Sequence, residues 1–173
     1  MEFQKYHEDS VAKKMNYLLA HPTVISMKNN VQHGNTSTYD HCFNVAVLSY
    51  ILSKKLHIKV NTKEMLVGAI LHDFYLYDWH SGRKRKDGWH CFTHPETALR
   101  NAERYFSLTK KEKNIIRCHM FPATLFHVPM CKEAVIVCIS DKICATMETF
   151  ECGFLDGIRN FVFPKKYCSQ ERG

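Results

Sequence analysis

Apolar residues recur at three- and four-residue spacings along nearly the whole chain, and no stretch alternates apolar with polar as a half-buried strand would. That pattern predicts an all-α fold. The spacing predicts an amphipathic helix over about 3–20, ending before His21-Pro22, then a short helix near 23–31 and a polar turn at His33-Gly34-Asn35. Ser37 with Asp40 and Asn61 with Glu64 each set a capping side chain three residues before an acidic one, as at a helix start. They open helices over about 38–56 and from Asn61 to about Phe74. Thr93 with Glu96 likewise predicts a helix over about 94–106, and Thr109 with Glu112 one that ends before Pro122. A strongly apolar helix follows over about 130–150, and a further short one is expected near 154–162.

Residues 77–93 interrupt the periodicity. They carry glycines, both tryptophans and the run Arg83-Lys84-Arg85-Lys86, and irregular segments of this length in compact domains are often functional. The two tryptophans are expected to pack this loop onto the helices, and the Met and Phe residues elsewhere are expected in the core.

Asp141 is the most informative residue. It lies in AVIVCISDKICATME, a helix apolar on nearly every side, and shares a face with Ala134, Val137, Cys138 and Ala145. A carboxylate buried there is costly unless it is paired or binds a metal. Lys142 points elsewhere on the helix and is a poor partner. The plain alternative is a salt bridge to a distant arginine.

Other helices offer candidate metal ligands. His41 shares a face with Val45, Leu48 and Leu52; His72-Asp73 closes the apolar run MLVGAIL; His94 shares a face with Ala98 and Ala102; His119 follows Ile115 and Ile116 on a buried face. Any one of these histidines alone reads more readily as a packed or surface residue. Five helices that each turn a His or Asp inward point to a metal site. Imidazole and carboxylate together suit one or two divalent ions, with Fe, Mn, Zn, Ni, Co and Mg all open.

The ordered set His41, His72-Asp73, His94, His119 and Asp141 resembles the HD-domain superfamily of metal-dependent phosphohydrolases. Thr38-Tyr39-Asp40-His41, Leu71-His72-Asp73, His94-Pro95 and Ser140-Asp141-Lys142 carry the resemblance, which spans about residues 35–150. It implies one HD domain over 1–173, a helical bundle around a central metal site. It also implies that His41, His72, Asp73 and Asp141 form a mononuclear set. His94 and His119 resemble the branch that holds two metals, with Asp73 bridging them and orienting the attacking water. Two positions depart from that branch: Met120 stands where some members have a second histidine, and no lysine follows Asp73 within a few residues.

The implied activity is hydrolysis of a phosphate ester or anhydride of a small phosphorylated metabolite, with a nucleotide as the expected class, by water that a divalent ion acidifies from a pKa near 16 to about 7. Arg83, Lys84, Arg85 and Lys86 are candidates to hold the phosphate, and His80 and His90 to line the same pocket with Tyr77, Trp79 and Trp89. The alternatives are a di-iron oxygenase of the same superfamily and a non-catalytic nucleotide-binding module.

Composition narrows the rest. The net charge of +7 suits an anionic substrate, although charge runs are usually solvated surface. No nucleic-acid motif is present, so that partner is not expected. The eight cysteines contain no C-x-x-C pair and read mostly as core thiols. Without a membrane-length apolar run or a signal-peptide pattern, the chain is expected to be cytoplasmic.

Overall fold

Side-chain caps fix where three of the helices begin. In the computed structural model, which describes residues 2–80 and 89–150, Ser37 Oγ accepts the Asp40 amide at 3.1 Å and Asn61 Oδ1 accepts the Glu64 amide at 3.2 Å. Thr109 and Glu112 complete a reciprocal capping box: the hydroxyl accepts the Glu112 amide, and the carboxylate accepts the Thr109 amide at 2.8 Å. The elements run α1 (Glu2–Leu19), α2 (Pro22–Ile25), β1 (Val31–His33), β2 (Thr36–Ser37), α3 (Thr38–Lys55), α4 (Thr62–Leu71), α5 (His90–Tyr105), α6 (Lys110–Cys118) and α7 (Lys132–Thr149). The architecture is helical, as the periodicity predicts, with a single antiparallel hairpin among the described residues.

Four local expectations need correction. The segment near 23–31 is one turn of α-helix, one of 3-10 helix over Ser26–Asn29, and then the start of the hairpin. Strands of two and three residues are too short to show alternation. Helix α4 stops at Leu71, short of Phe74. Helix α5 begins a turn earlier than the Thr93 signal suggests: Trp89 is its N-cap, and Thr93 Oγ1 donates back to the Trp89 carbonyl instead of capping. Finally, Trp89, Phe126 and Met130 are exposed, outside the core that the tryptophan, Phe and Met pattern suggested.

Helix α3 packs on α4 and α7, and α4 also packs on α6. The core among them includes Val45, Leu48, Met65, Ile70, Ile115 and Val137. Four cysteines (Cys42, Cys118, Cys138 and Cys144) are buried free thiols there, as expected of small apolar residues. Helices α4 and α6 approach closely at Gly68, where an added Cβ would lie 2.6 Å from Ile115 Cγ2. Gly68 is one turn before His72, and Ile115 is one turn before His119, so this approach draws the two imidazoles together. No helix among the described residues is long and apolar enough to cross a membrane.

Candidate metal centre

Helix ends deliver most of the site. His72 and His119 are the C-caps of α4 and α6, where the last backbone carbonyls lack helical partners. Their Nδ1 atoms donate to the carbonyls of Ala69 at 2.7 Å and Ile116 at 2.8 Å. His94, within α5, donates from Nδ1 to the His90 carbonyl at 2.9 Å. A carbonyl can only accept, so each bond places a ring proton on Nδ1 and turns Nε2, the nitrogen left to bind a metal, inward. His41, on α3, likewise turns Nε2 inward, because Nδ1 donates to the Glu148 carboxylate near the end of α7 at 2.7 Å. Asn44 steadies that carboxylate from one turn further along α3, donating at 2.9 Å.

The four Nε2 atoms surround Asp73, and its two oxygens face different pairs. Oδ2 lies 3.8 Å from His41 Nε2 and 3.4 Å from His72 Nε2. Oδ1 lies 3.2 Å from His94 Nε2 and 3.4 Å from His119 Nε2. Asp141, midway along α7, adds Oδ1 at 3.1 Å from His41 Nε2 and 3.6 Å from His72 Nε2. All six residues are buried, none more than 6 % exposed. The six expected ligands therefore converge: five form two groups that could hold an ion, His41 with His72 and Asp73, and Asp73 with His94 and His119, and Asp141 adjoins the first.

Two observations test whether these donors fit a metal. His72 Nε2 and Asp73 Oδ1 are buried without a hydrogen-bond partner, a costly state that a cation relieves. His94 Nε2 and His119 Nε2 also face each other at 2.8 Å, although both rings already spend their Nδ1 proton on a carbonyl. Two lone pairs at that distance need a cation or a shared proton between them. The donor set fits divalent ions, and among the described residues Asp141 meets imidazoles and no arginine.

Electrostatics points the same way. Burial opposes charge on Asp73, yet His72 and His94 hold its carboxyl well below the usual carboxylate range. Asp141 is likewise held low despite burial, through its hydrogen bond to His41 and the nearby His72 imidazole. Burial opposes protonation of His41, but its hydrogen bonds to Asp141 and Glu148 prevail and raise it to about 10. His119 is pushed down, first by burial.

Several supporting residues had no clear signal in the sequence. Gln32 on β1 donates from Nε2 to Asp73 Oδ2 at 2.5 Å and accepts the Tyr75 hydroxyl, while Thr38 lies 3.1 Å from that hydroxyl. Lys142 places its ammonium on the carbonyls of His119 at 2.9 Å and Cys138 at 3.3 Å. It lies 3.9 Å from Asp141 Oδ2, so it is at most a marginal partner for that carboxylate. Glu148 could have been found: it follows Asp141 by seven residues, two turns along the same face.

The expected substrate contacts divide. His90 stacks on His94 with centroids 4.6 Å apart, Trp79 stacks on His90 in turn, and the Tyr77 hydroxyl is 2.8 Å from His90 Nδ1. His90 thus adjoins the centre. His80 lies further out, half exposed, with its amide donating to Asp78. Arg83, Lys84, Arg85 and Lys86, and the helix expected near 154–162, lie outside the described residues.

No curated protein and no solved structure matches the chain. A family model does match, that of the HD domain, over residues 38–146, more than half of the sequence. The match runs from the start of α3 into the last turns of α7 and takes in all six converging residues. The chain belongs to the HD domain family.

Proposed function

We propose that the chain is a metal-dependent phosphohydrolase cleaving a phosphate ester or anhydride of a small phosphorylated metabolite, with nucleotides as the first class to test. HD domains are mostly metal-dependent hydrolases, which supports the class of reaction. The observation that carries the reading is Asp73, whose two carboxylate oxygens face separate imidazole pairs. His41, His72, Asp73 and Asp141 would hold one ion, and Asp73, His94 and His119 a second. A divalent ion bound there supplies a Lewis acid for a phosphoryl oxygen and acidifies water to a pKa near 7.

The chain's own groups fix the geometry. Nδ1 of each histidine is tied off, so the rings cannot flip out of register. Gln32 holds one oxygen of Asp73 and so orients the plane of its carboxylate. The net charge of +7 favours an anionic substrate, and Arg83, Lys84, Arg85 and Lys86 are proposed to help bind its phosphate.

The test is reconstitution of metal-free protein with Fe(II), Mn, Co, Ni, Zn or Mg, followed by phosphate-release assays. The substrates should span nucleoside mono-, di- and triphosphates, dinucleotide polyphosphates and cyclic dinucleotides. Metal-dependent release that disappears in Asp73→Ala is the expected result. Substrate-dependent oxygen uptake without release would instead identify an oxygenase. Tight nucleotide binding without turnover under any metal would identify a binding module.

A further inference from the structure

His33 closes β1 at the rim of the centre, and none of the roles above uses it. Two anchors fix its backbone. The preceding residue, Gln32, is buried and hydrogen-bonded to Asp73. The following residue, Gly34, adopts φ +52° and sits so close to α7 that an added Cβ would lie 2.8 Å from the Glu148 carbonyl oxygen. Only glycine meets both conditions without strain. The hairpin is thereby pinned between Asp73 and the last turn of α7, and His33 has little freedom to leave the site.

Its ring meets that of His41 edge-on, with centroids 5.2 Å apart. Unlike the six converging residues, His33 is only partly buried, so it adjoins the centre while keeping some exposure to solvent. The site histidines all spend Nδ1 on a carbonyl or carboxylate, whereas no hydrogen bond joins the His33 ring to a described residue. An imidazole always carries at least one N–H donor. Here a donor is held beside the centre, partly exposed, without an acceptor among the described residues.

We infer that His33 contacts the substrate, donating a ring N–H to a phosphoryl oxygen of the group bound on the His41 side of the centre. The inference rests on the phosphohydrolase reading and adds the residue that would grip the phosphoryl group. Asp73, Asp141 and Glu148 make this side of the site acidic, so an incoming anion needs donors beyond the metal, and His33 is placed to supply one. It is a recognition role: the ring binds and orients the phosphoryl group and is not asked to transfer a proton.

The experiment uses the full chain loaded with the metal that gives turnover, or with Mn if none does. Inorganic phosphate is the probe, titrated calorimetrically against wild type, His33→Ala and His33→Gln. A hydrogen bond to a charged group predicts phosphate affinity about 10-fold or more weaker in His33→Ala, with metal content and melting temperature kept. The His33→Gln variant, which retains an N–H donor, should recover part of the loss. Equal phosphate affinity in wild type and His33→Ala would show that the ring only packs on His41, overturning the inference. Metal lost from His33→Ala would make it a ligand, which also overturns the inference, as would a loaded wild type that binds no phosphate. A wild type that binds phosphate through His33 yet hydrolyses nothing would sink the phosphohydrolase reading alone.

Discussion

Gly68 and Ile115 meet where α4 packs closely on α6, and each lies one turn before a site histidine. The spacing between His72 and His119, ring centroids 4.8 Å apart, depends on that contact. The methyl of Gly68→Ala would overlap a fully buried isoleucine that has nowhere to go. Overpacking of this kind costs about 1–3 kcal/mol, part of it offset by alanine's better helix propensity. Chemical denaturation should show a net loss, and weaker metal retention should accompany it. A Gly68→Ala protein as stable as wild type would mean that the helices slide apart at no cost.

Glu148 should behave as a positioning residue for His41. Glu148→Gln replaces the acceptor of the Nδ1 proton with a neutral amide, and removing such support typically lowers metal affinity or activity 10- to 100-fold. Metal titration of chelated protein measures this directly. The conservative Glu148→Asp should retain more affinity than Glu148→Ala. Identical affinities in all three would leave Glu148 with a packing role only.

The two imidazole pairs around Asp73 give distinct expectations for metal count. His94→Ala and His119→Ala should each reduce the content of anaerobically purified protein from about two ions per chain to about one. Asp73→Ala, which removes the shared carboxylate, should empty both positions. Elemental mass spectrometry decides it. A single ion in wild type, untouched by His94→Ala or His119→Ala, would confine the metal to His41, His72, Asp73 and Asp141.

The metal-free protein should lose stability on the alkaline side. The folded pKa of His41, about 10, exceeds its ordinary value of 6.5. Its contribution is therefore fully present below about 6.5 and is lost as the pH rises through 10. Asp73 and Asp141 have the opposite sign: their folded pKa values are depressed, so their contribution is present above the ordinary 3.8 and disappears on acidification. Melting temperatures of chelated protein should fall between pH 7 and pH 10. A bound divalent ion takes the place of the proton on His41 Nε2, so loading should flatten that decline. An alkaline limb identical with and without metal would contradict the assignment.

How far the sequence could be read depended on the range of each interaction. His41 and Asp141 were legible because each interrupts an apolar helical face, and His72-Asp73 and His119 because they close apolar helical runs; periodicity reveals both within one element. The starts of α3, α4 and α6 were legible because caps are local. The start of α5 was not: Thr93 offers a capping signal, but Trp89 begins the helix a turn earlier. The hairpin escaped because its strands are shorter than one period of alternation can establish. Gln32 and Lys142 read as ordinary polar residues, since what distinguishes them is a partner on another element, whereas Glu148 shares the face of Asp141 two turns on. Phe126 and Met130 show the converse error, apolar residues that the fold leaves at the surface.

Three of the four histidine rings are tied to carbonyls three or four residues back on the same helix, so those rings are preset as soon as their helices form. His41 is different: its tie to Glu148 spans 107 residues of chain. During synthesis the first ligand of the centre must therefore wait, loosely oriented, until nearly the whole of α7 has left the ribosome. Orientation of His41 becomes a late event in biogenesis, and a chain interrupted before residue 148 would lack the carboxylate that sets this ring and would hold an ion on the His41 side less firmly.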